Sequence, residues 1–168
     1  MTMKFNPIDI TQTDIIIESG TYIGAFVKRI KSDYKHIHTI EIVESFYNDA
    51  CVMFKNDDNV TCHIGDSPEV LRNILKDIDE PVTFWLDAHY QGGVQSDSSK
   101  KPLLEELKAI GEHHIKDHII MIDDVRMFDI FGTTPEEVED IIKRINPEYT
   151  IKYCEGVQPN DVLVGIII

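Results

Sequence analysis

The chain has 168 residues, enough for one well-buried domain and too few for two comfortable ones. Its 42% hydrophobic and 27% charged residues make an ordinary globular composition and exclude a disordered or repeat-built chain. Acidic residues outnumber basic ones 30 to 16, a net charge of −14 that repels phosphate backbones and argues against a nucleic-acid partner.

Along the chain, short apolar runs alternate with amphipathic stretches. Residues 14–18 read as a buried strand with three consecutive isoleucines, and residues 22–31 as the helix after a glycine turn. Lys28, Arg29 and Lys31 form a solvated face of that helix. Residues 37–43 form a second strand, followed by a helical pattern over 44–55, and residues 60–64 a third. Asp66-Ser67-Pro68 then supplies an N-cap and first-turn proline for a helix to about Asp77. A fourth strand spans 82–87, a glycine- and serine-rich loop 90–101, a helix 102–113 and a fifth strand 118–122. His113, His114 and His118 are expected to cluster on the surface around that helix end. After a helix at 135–145 come two strand-like runs, 149–154 and 161–168, whose connection is too short for a crossover helix. They should form an antiparallel hairpin, whereas the earlier alternation implies a parallel sheet with helices on both faces.

No apolar run approaches the ~20 residues that span a bilayer, and the N-terminus lacks signal-peptide anatomy, so a cytoplasmic protein without a membrane partner is expected. Cys51, Cys62 and Cys154 show no CxxC spacing, which favours reduced thiols over a disulfide framework or zinc site.

Candidate ligand-binding residues fall at the carboxyl ends of the strands, where open α/β sheets bind ligands. The turn Glu18-Ser19-Gly20-Thr21-Tyr22-Ile23-Gly24 lets the backbone approach a ligand, yet it is not the GxGxxG of a pyrophosphate site. Glu41 ends the second strand, where a carboxylate accepts hydrogen bonds from both ribose hydroxyls. Asp66 and Ser67 follow the third strand, where they either meet an adenine edge or simply cap the helix. Asp87 closes the fourth strand, and Asp123-Asp124 the fifth. Carboxylates converging there repel one another unless protonated or bridged by a hard cation such as Mg²⁺. His89, with an ordinary pKa near ~6.5, is suited to take a proton from a hydroxyl, or is a hydrogen-bonded loop residue. Trp85 lies within a strand and reads as core.

The turn Glu18–Gly24, His38-Thr39-Ile40-Glu41, Ile64-Gly65-Asp66-Ser67 and Phe84-Trp85-Leu86-Asp87-Ala88-His89-Tyr90 together resemble successive motifs of class I S-adenosylmethionine (SAM) methyltransferases. The terminal hairpin is compatible with that family. The resemblance implies a single domain over residues 1–168: a Rossmann-like seven-stranded sheet of order 3-2-1-4-5-7-6, with strand 7 antiparallel and helices on both faces. It places Gly20, Thr21, Tyr22 and Gly24 along the methionine part of SAM, Glu41 at its ribose, and Asp66 with Ser67 at its adenine, Glu18 and Asp87 completing the site. The acids further resemble those of metal-dependent sugar O-methyltransferases of the macrocin type, which implies Asp87, Asp123 and Asp124 as ligands of Mg²⁺ or another divalent cation. Asp87 and His89 would serve catalysis on a small-molecule or sugar hydroxyl. Relatives of that type carry further N-terminal helices, so here the pocket is expected to be open, or closed by the 90–101 loop or a second subunit. The apolar stretch 125–131, with Met127, Phe128 and Phe131, lines substrate or makes a homodimer contact. The rival readings are a SAM-binding protein without methyl transfer and a nicotinamide-dependent oxidoreductase.

Overall fold

The structure, a computed structural model, describes residues 13–88 and 102–168. Five parallel strands carry most of the sheet: β1 (Ile15–Ser19), β2 (His36–Glu41), β3 (Val60–Ile64), β4 (Val82–Leu86) and β5 (Ile119–Ile122). Between and after them run α1 (Ala25–Ile30), α2 (Glu44–Met53), α3 (Ser67–Leu75), α4 (Pro102–Glu112) and α5 (Pro135–Ile145). The chain ends in β6 (Thr150–Cys154) and β7 (Val162–Ile166), which pair antiparallel. β7 inserts between β5 and β6, also antiparallel to β5, giving the order β3-β2-β1-β4-β5-β7-β6. Both the order and the reversed strand match the expectation from the sequence.

Strand alternation divides the core in two. Ile15, Ile17, Ile40, Phe84 and Ile120 face α3, α4 and α5, whose Leu71, Leu107 and Ile142 cover them. Ile16, Ile37, Trp85 and Met121 face the other way, against Phe26, Val27 and Ile30 of α1 and Ala50 of α2. Trp85 is core, as expected, stacked on Phe26 with ring centroids 4.6 Å apart. Phe128 is also buried, so within the 125–131 stretch it serves packing and is withdrawn from any substrate or dimer surface.

Two expectations need correction. The first helix starts at Ala25, not Tyr22, because Tyr22 (φ 47°) and Gly24 (φ 68°) sit in the left-handed region, which no α-helix admits. Nor are the histidines at the end of α4 a surface cluster: His114 is exposed as expected, but His113 and His118 are buried. The Val82 amide donates to His118 Nδ1 (3.1 Å), which fixes the proton of His118 on Nε2. That proton points to His113 Nδ1 (2.9 Å), leaving His113 Nε2–H to donate to the Ile78 carbonyl (3.0 Å). Both rings are neutral in this relay, since a further proton would have no acceptor. Burial and the neighbouring His113 push the His118 pKa down to about 3. Neutral His118 therefore contributes stability that is present above its unfolded pKa and lost as pH falls from ~6.5 towards 3. Melting temperature should fall over that range, with His118 still unprotonated by NMR at pH 5; a His118 that titrates near 6.5 in the folded protein would contradict the relay.

Candidate cofactor and metal site

The same alternation gathers the acids. Glu18, Glu41, Asp87 and Asp123 follow Ile16, Ile37, Trp85 and Met121 at even spacing, so they extend from the α1/α2 side of the sheet at its carboxyl edge. The register sets the ends of β1, β4 and β5 side by side: Ser19 pairs with Leu86, and Leu86 with Ile122.

Around Gly20 the chain leaves β1 by a turn with three positive φ angles: Gly20 (89°), Tyr22 (47°) and Gly24 (68°). A Cβ on Gly20 would lie 2.4 Å from the Asp87 carbonyl oxygen, so the turn and the end of β4 pack backbone to backbone. Tyr22, a bulky residue in the left-handed region, is held there by its amide, which donates to Glu41 Oε2 at 2.8 Å. Glu41 Oε1 accepts the Val43 amide, also at 2.8 Å. One carboxylate thus fixes the turns after β1 and β2, and each oxygen keeps a second lone-pair direction for a ligand hydroxyl. Ile42, 47% exposed, lies beside it, with Tyr22, Ile23 and Ile64 as further exposed apolar groups on the adjoining turns and strand end.

Glu18 and Thr21 are both buried beneath the turn. The Thr39 hydroxyl bonds Glu18 Oε2 and also the Thr21 hydroxyl, 2.5 Å away. Burial raises the Glu18 pKa to about 8, against the Thr39 bond that lowers it, so at neutral pH the carboxyl is mostly protonated. Asp66 stands at the head of α3, but its carboxylate makes no capping bond to the helix; its carbonyl accepts the Glu69 and Val70 amides instead. That removes the capping explanation for its side chain. Ser67 is buried as the first residue of α3.

Of the acids expected to converge, Asp123 and Asp124 meet, and Asp161 joins them where Asp87 was expected. The carboxylates of Asp123, Asp124 and Asp161 offer oxygens all within 4.8 Å of one another; Asp87 stands outside that trio yet faces it. Burial, then the charges of Asp123 and Asp124, hold the Asp87 pKa well above the carboxylate range, and burial with Asp124 lifts Asp123 to about 6. Arg126, in the short 3-10 turn Val125–Met127, answers part of this charge: Nη1 lies 2.6 Å from Asp124 Oδ1 and also binds Asp161 Oδ2. Asp161 is fully buried, just before β7, and its oxygens accept the Arg126 and Val157 amides at 3.1 and 3.2 Å. The sequence gives Asp161 and Arg126 no motif; only the insertion of β7 beside β5 brings them here. The carboxylate oxygens of Asp123, Asp124 and Asp161, with Asp87 facing them, are hard donors of the kind a divalent cation takes, and Arg126 and Arg29 answer part of their charge. His89 lies outside the described residues, as does the 90–101 loop.

No family model matches this sequence, and no curated protein matches it. Solved structures do resemble the fold. A precorrin-6y C5,15-methyltransferase of Geobacter metallireducens superposes with a TM-score of 0.64 at 13% identity, over 94% of this chain and 83% of that one. An O-methyltransferase of Bacillus cereus, solved with SAH, gives 0.57 at 18% identity over 91% and 74%. The fibrillarin pre-rRNA processing protein of Methanococcus jannaschii gives 0.62 at 17% identity over 99% and 70%. The fold is therefore the Rossmann-like methyltransferase fold. Among the described residues no helix is long and apolar enough to cross a membrane.

Proposed function

We propose that the protein is a SAM-dependent methyltransferase acting on a hydroxyl of a small molecule or sugar, with a divalent cation, as a single domain in the cytoplasm. The observation that carries the reading is Glu41: a carboxylate gripped by the Tyr22 and Val43 amides at the carboxyl edge, beside the exposed apolar Ile42. Ribose hydroxyls suit the carboxylate and an adenine face suits the isoleucine. The likeness to methyltransferase structures, one holding SAH, supports the choice of SAM over a nicotinamide cofactor.

SAM when bound supplies a methyl group on a sulfonium, open to in-line displacement. Positioning is then most of what the chain must provide. Glu41 holds the ribose end, the Gly20–Gly24 turn borders the methionine end, and Asp66 with Ser67 meets the adenine edge. Asp87, Asp123 and Asp124 would hold Mg²⁺, which lowers the pKa of a bound acceptor hydroxyl. His89 is the proposed proton acceptor. The net charge of −14 favours a small acceptor over RNA, although fibrillarin-like proteins share the fold.

Isothermal titration with SAM and with NADH separates the classes: binding of SAM alone is expected, and binding of NADH alone would overturn the proposal. For the metal, Asp123→Asn should lower kcat/KM by about tenfold or more, as should EDTA, with Mg²⁺ reversing only the latter. Activity indifferent to both would leave the acids a structural role.

A further inference from the structure

Glu106 is the least expected group in the molecule. It sits on the apolar stripe of α4 between Leu103 and Leu107, is 0% exposed, and among the described residues neither carboxyl oxygen has a well-formed hydrogen bond. An unsatisfied buried carboxyl is costly, and at this position leucine or methionine would extend the core. Its polar neighbours are the hydroxyls of Ser19 and Ser67. Ser19 ends β1 where the cofactor turn begins, and Ser67 begins α3 where the adenine edge is expected. Both serines are themselves buried, Ser19 completely. Three buried polar groups from three elements thus lie together under the two segments that the cofactor would touch.

Resting on the SAM reading above, we propose that Glu106 is a positioning residue of the cofactor site, its neutral carboxyl group bridging the Ser19 and Ser67 hydroxyls and so fixing the turn after β1 relative to the head of α3. A protonated carboxyl offers one donor and two acceptor positions, which matches two hydroxyls that both donate and accept. Burial raises the Glu106 pKa to about 7, against the two serines that lower it, so the neutral form is accessible at neutral pH. The bridge gives a use to a buried carboxyl whose oxygens otherwise lack a well-formed hydrogen bond among the described residues.

Glu106→Gln and Glu106→Met separate this role from packing. Gln keeps a neutral donor and acceptor of the same shape; Met keeps the volume and removes both. Titration calorimetry with SAM should show Gln within about threefold of the wild type and Met about tenfold or more weaker, while the melting temperature of the Met variant stays level or rises. Ser19→Ala should also weaken SAM binding, and adding Glu106→Met to it should cost less than the two separate losses combined. A Met variant that binds SAM like the wild type, or a Gln variant as weak as Met, would overturn the bridge. If Met does not fold, Gln and Ser19→Ala still decide it: Ser19→Ala binding SAM like the wild type sinks the proposal. A wild-type protein that fails to bind SAM would instead sink the cofactor reading, a result visible before any variant is made.

Discussion

Gly20→Ala should reduce SAM affinity by about 100-fold and lower the melting temperature by several degrees. Two independent effects add at this position. Alanine at φ 89° lies outside the region open to L residues, and its Cβ would lie 2.4 Å from the Asp87 carbonyl oxygen and 2.8 Å from the carbonyl carbon. Neither neighbour is a flexible side-chain end, so the backbone of the turn or of the end of β4 must move. Either movement displaces something the ligand needs, since Tyr22 and its bond to Glu41 lie on one side and Asp87 on the other. Gly132→Ala is the control. Gly132 also has positive φ, 70°, in the loop before α5, so alanine there should cost stability without altering SAM affinity. Equal affinities for the two variants would show that the contact between the turn and Asp87 does not shape the cofactor site.

Arg126→Met should destabilise the fold by about 3 kcal/mol, because it strands a buried carboxylate. For a chain of this length that is a fall of roughly 6–12 °C in melting temperature. Asp161 has no exposed surface, and Arg126 is the cation that meets both it and Asp124. Two backbone amides remain to Asp161, which sets the estimate at the lower end for a broken buried pair. Adding Asp161→Asn to Arg126→Met should recover much of the loss, since it removes the stranded charge and keeps an acceptor for the amides. A loss of less than about 1 kcal/mol would reduce the pair to a surface ion pair. Millimolar Mg²⁺ should stabilise Arg126→Met more than the wild type, because a divalent cation would then meet less competition for Asp124; an equal response would remove Asp124 from the proposed ligand set.

The sequence revealed most where one element explained itself. The Ile15–Ile17 run, the short link between β6 and β7 and the acids at strand ends all carry local signals, which gave the parallel sheet and the hairpin; the strand order came from the family resemblance. Asp66 and Ser67 were legible as candidates, although only the structure shows that the Asp66 carboxylate does not cap α3. Elsewhere the deciding partner lies far along the chain. Glu106 reads as one more acid in a charged helix until α4 packs against α3 and buries it above Ser19 and Ser67. His113 and His118 read as solvated because their acceptor and donor, Ile78 and Val82, belong to the segment before β4 and to β4 itself. Thr39 carries no signal for its bond to Glu18, which needs β1 and β2 already in register.

The insertion of β7 between β5 and β6 has a kinetic consequence. β7 is the last strand in chain order, and Asp161 just before it is the third carboxylate of the trio at the end of its neighbour β5. A chain in which β1 to β5 have paired and β7 has not would present Asp123 and Asp124 beside Arg126 but without Asp161. Trp85 is covered by Phe26 of α1 within the β1 to β5 sheet, whereas the trio is complete only once β7 has docked on β5. Stopped-flow refolding should therefore show burial of Trp85 ahead of the recovery of the acidic edge, so the molecule becomes a sheet before it becomes a binding site.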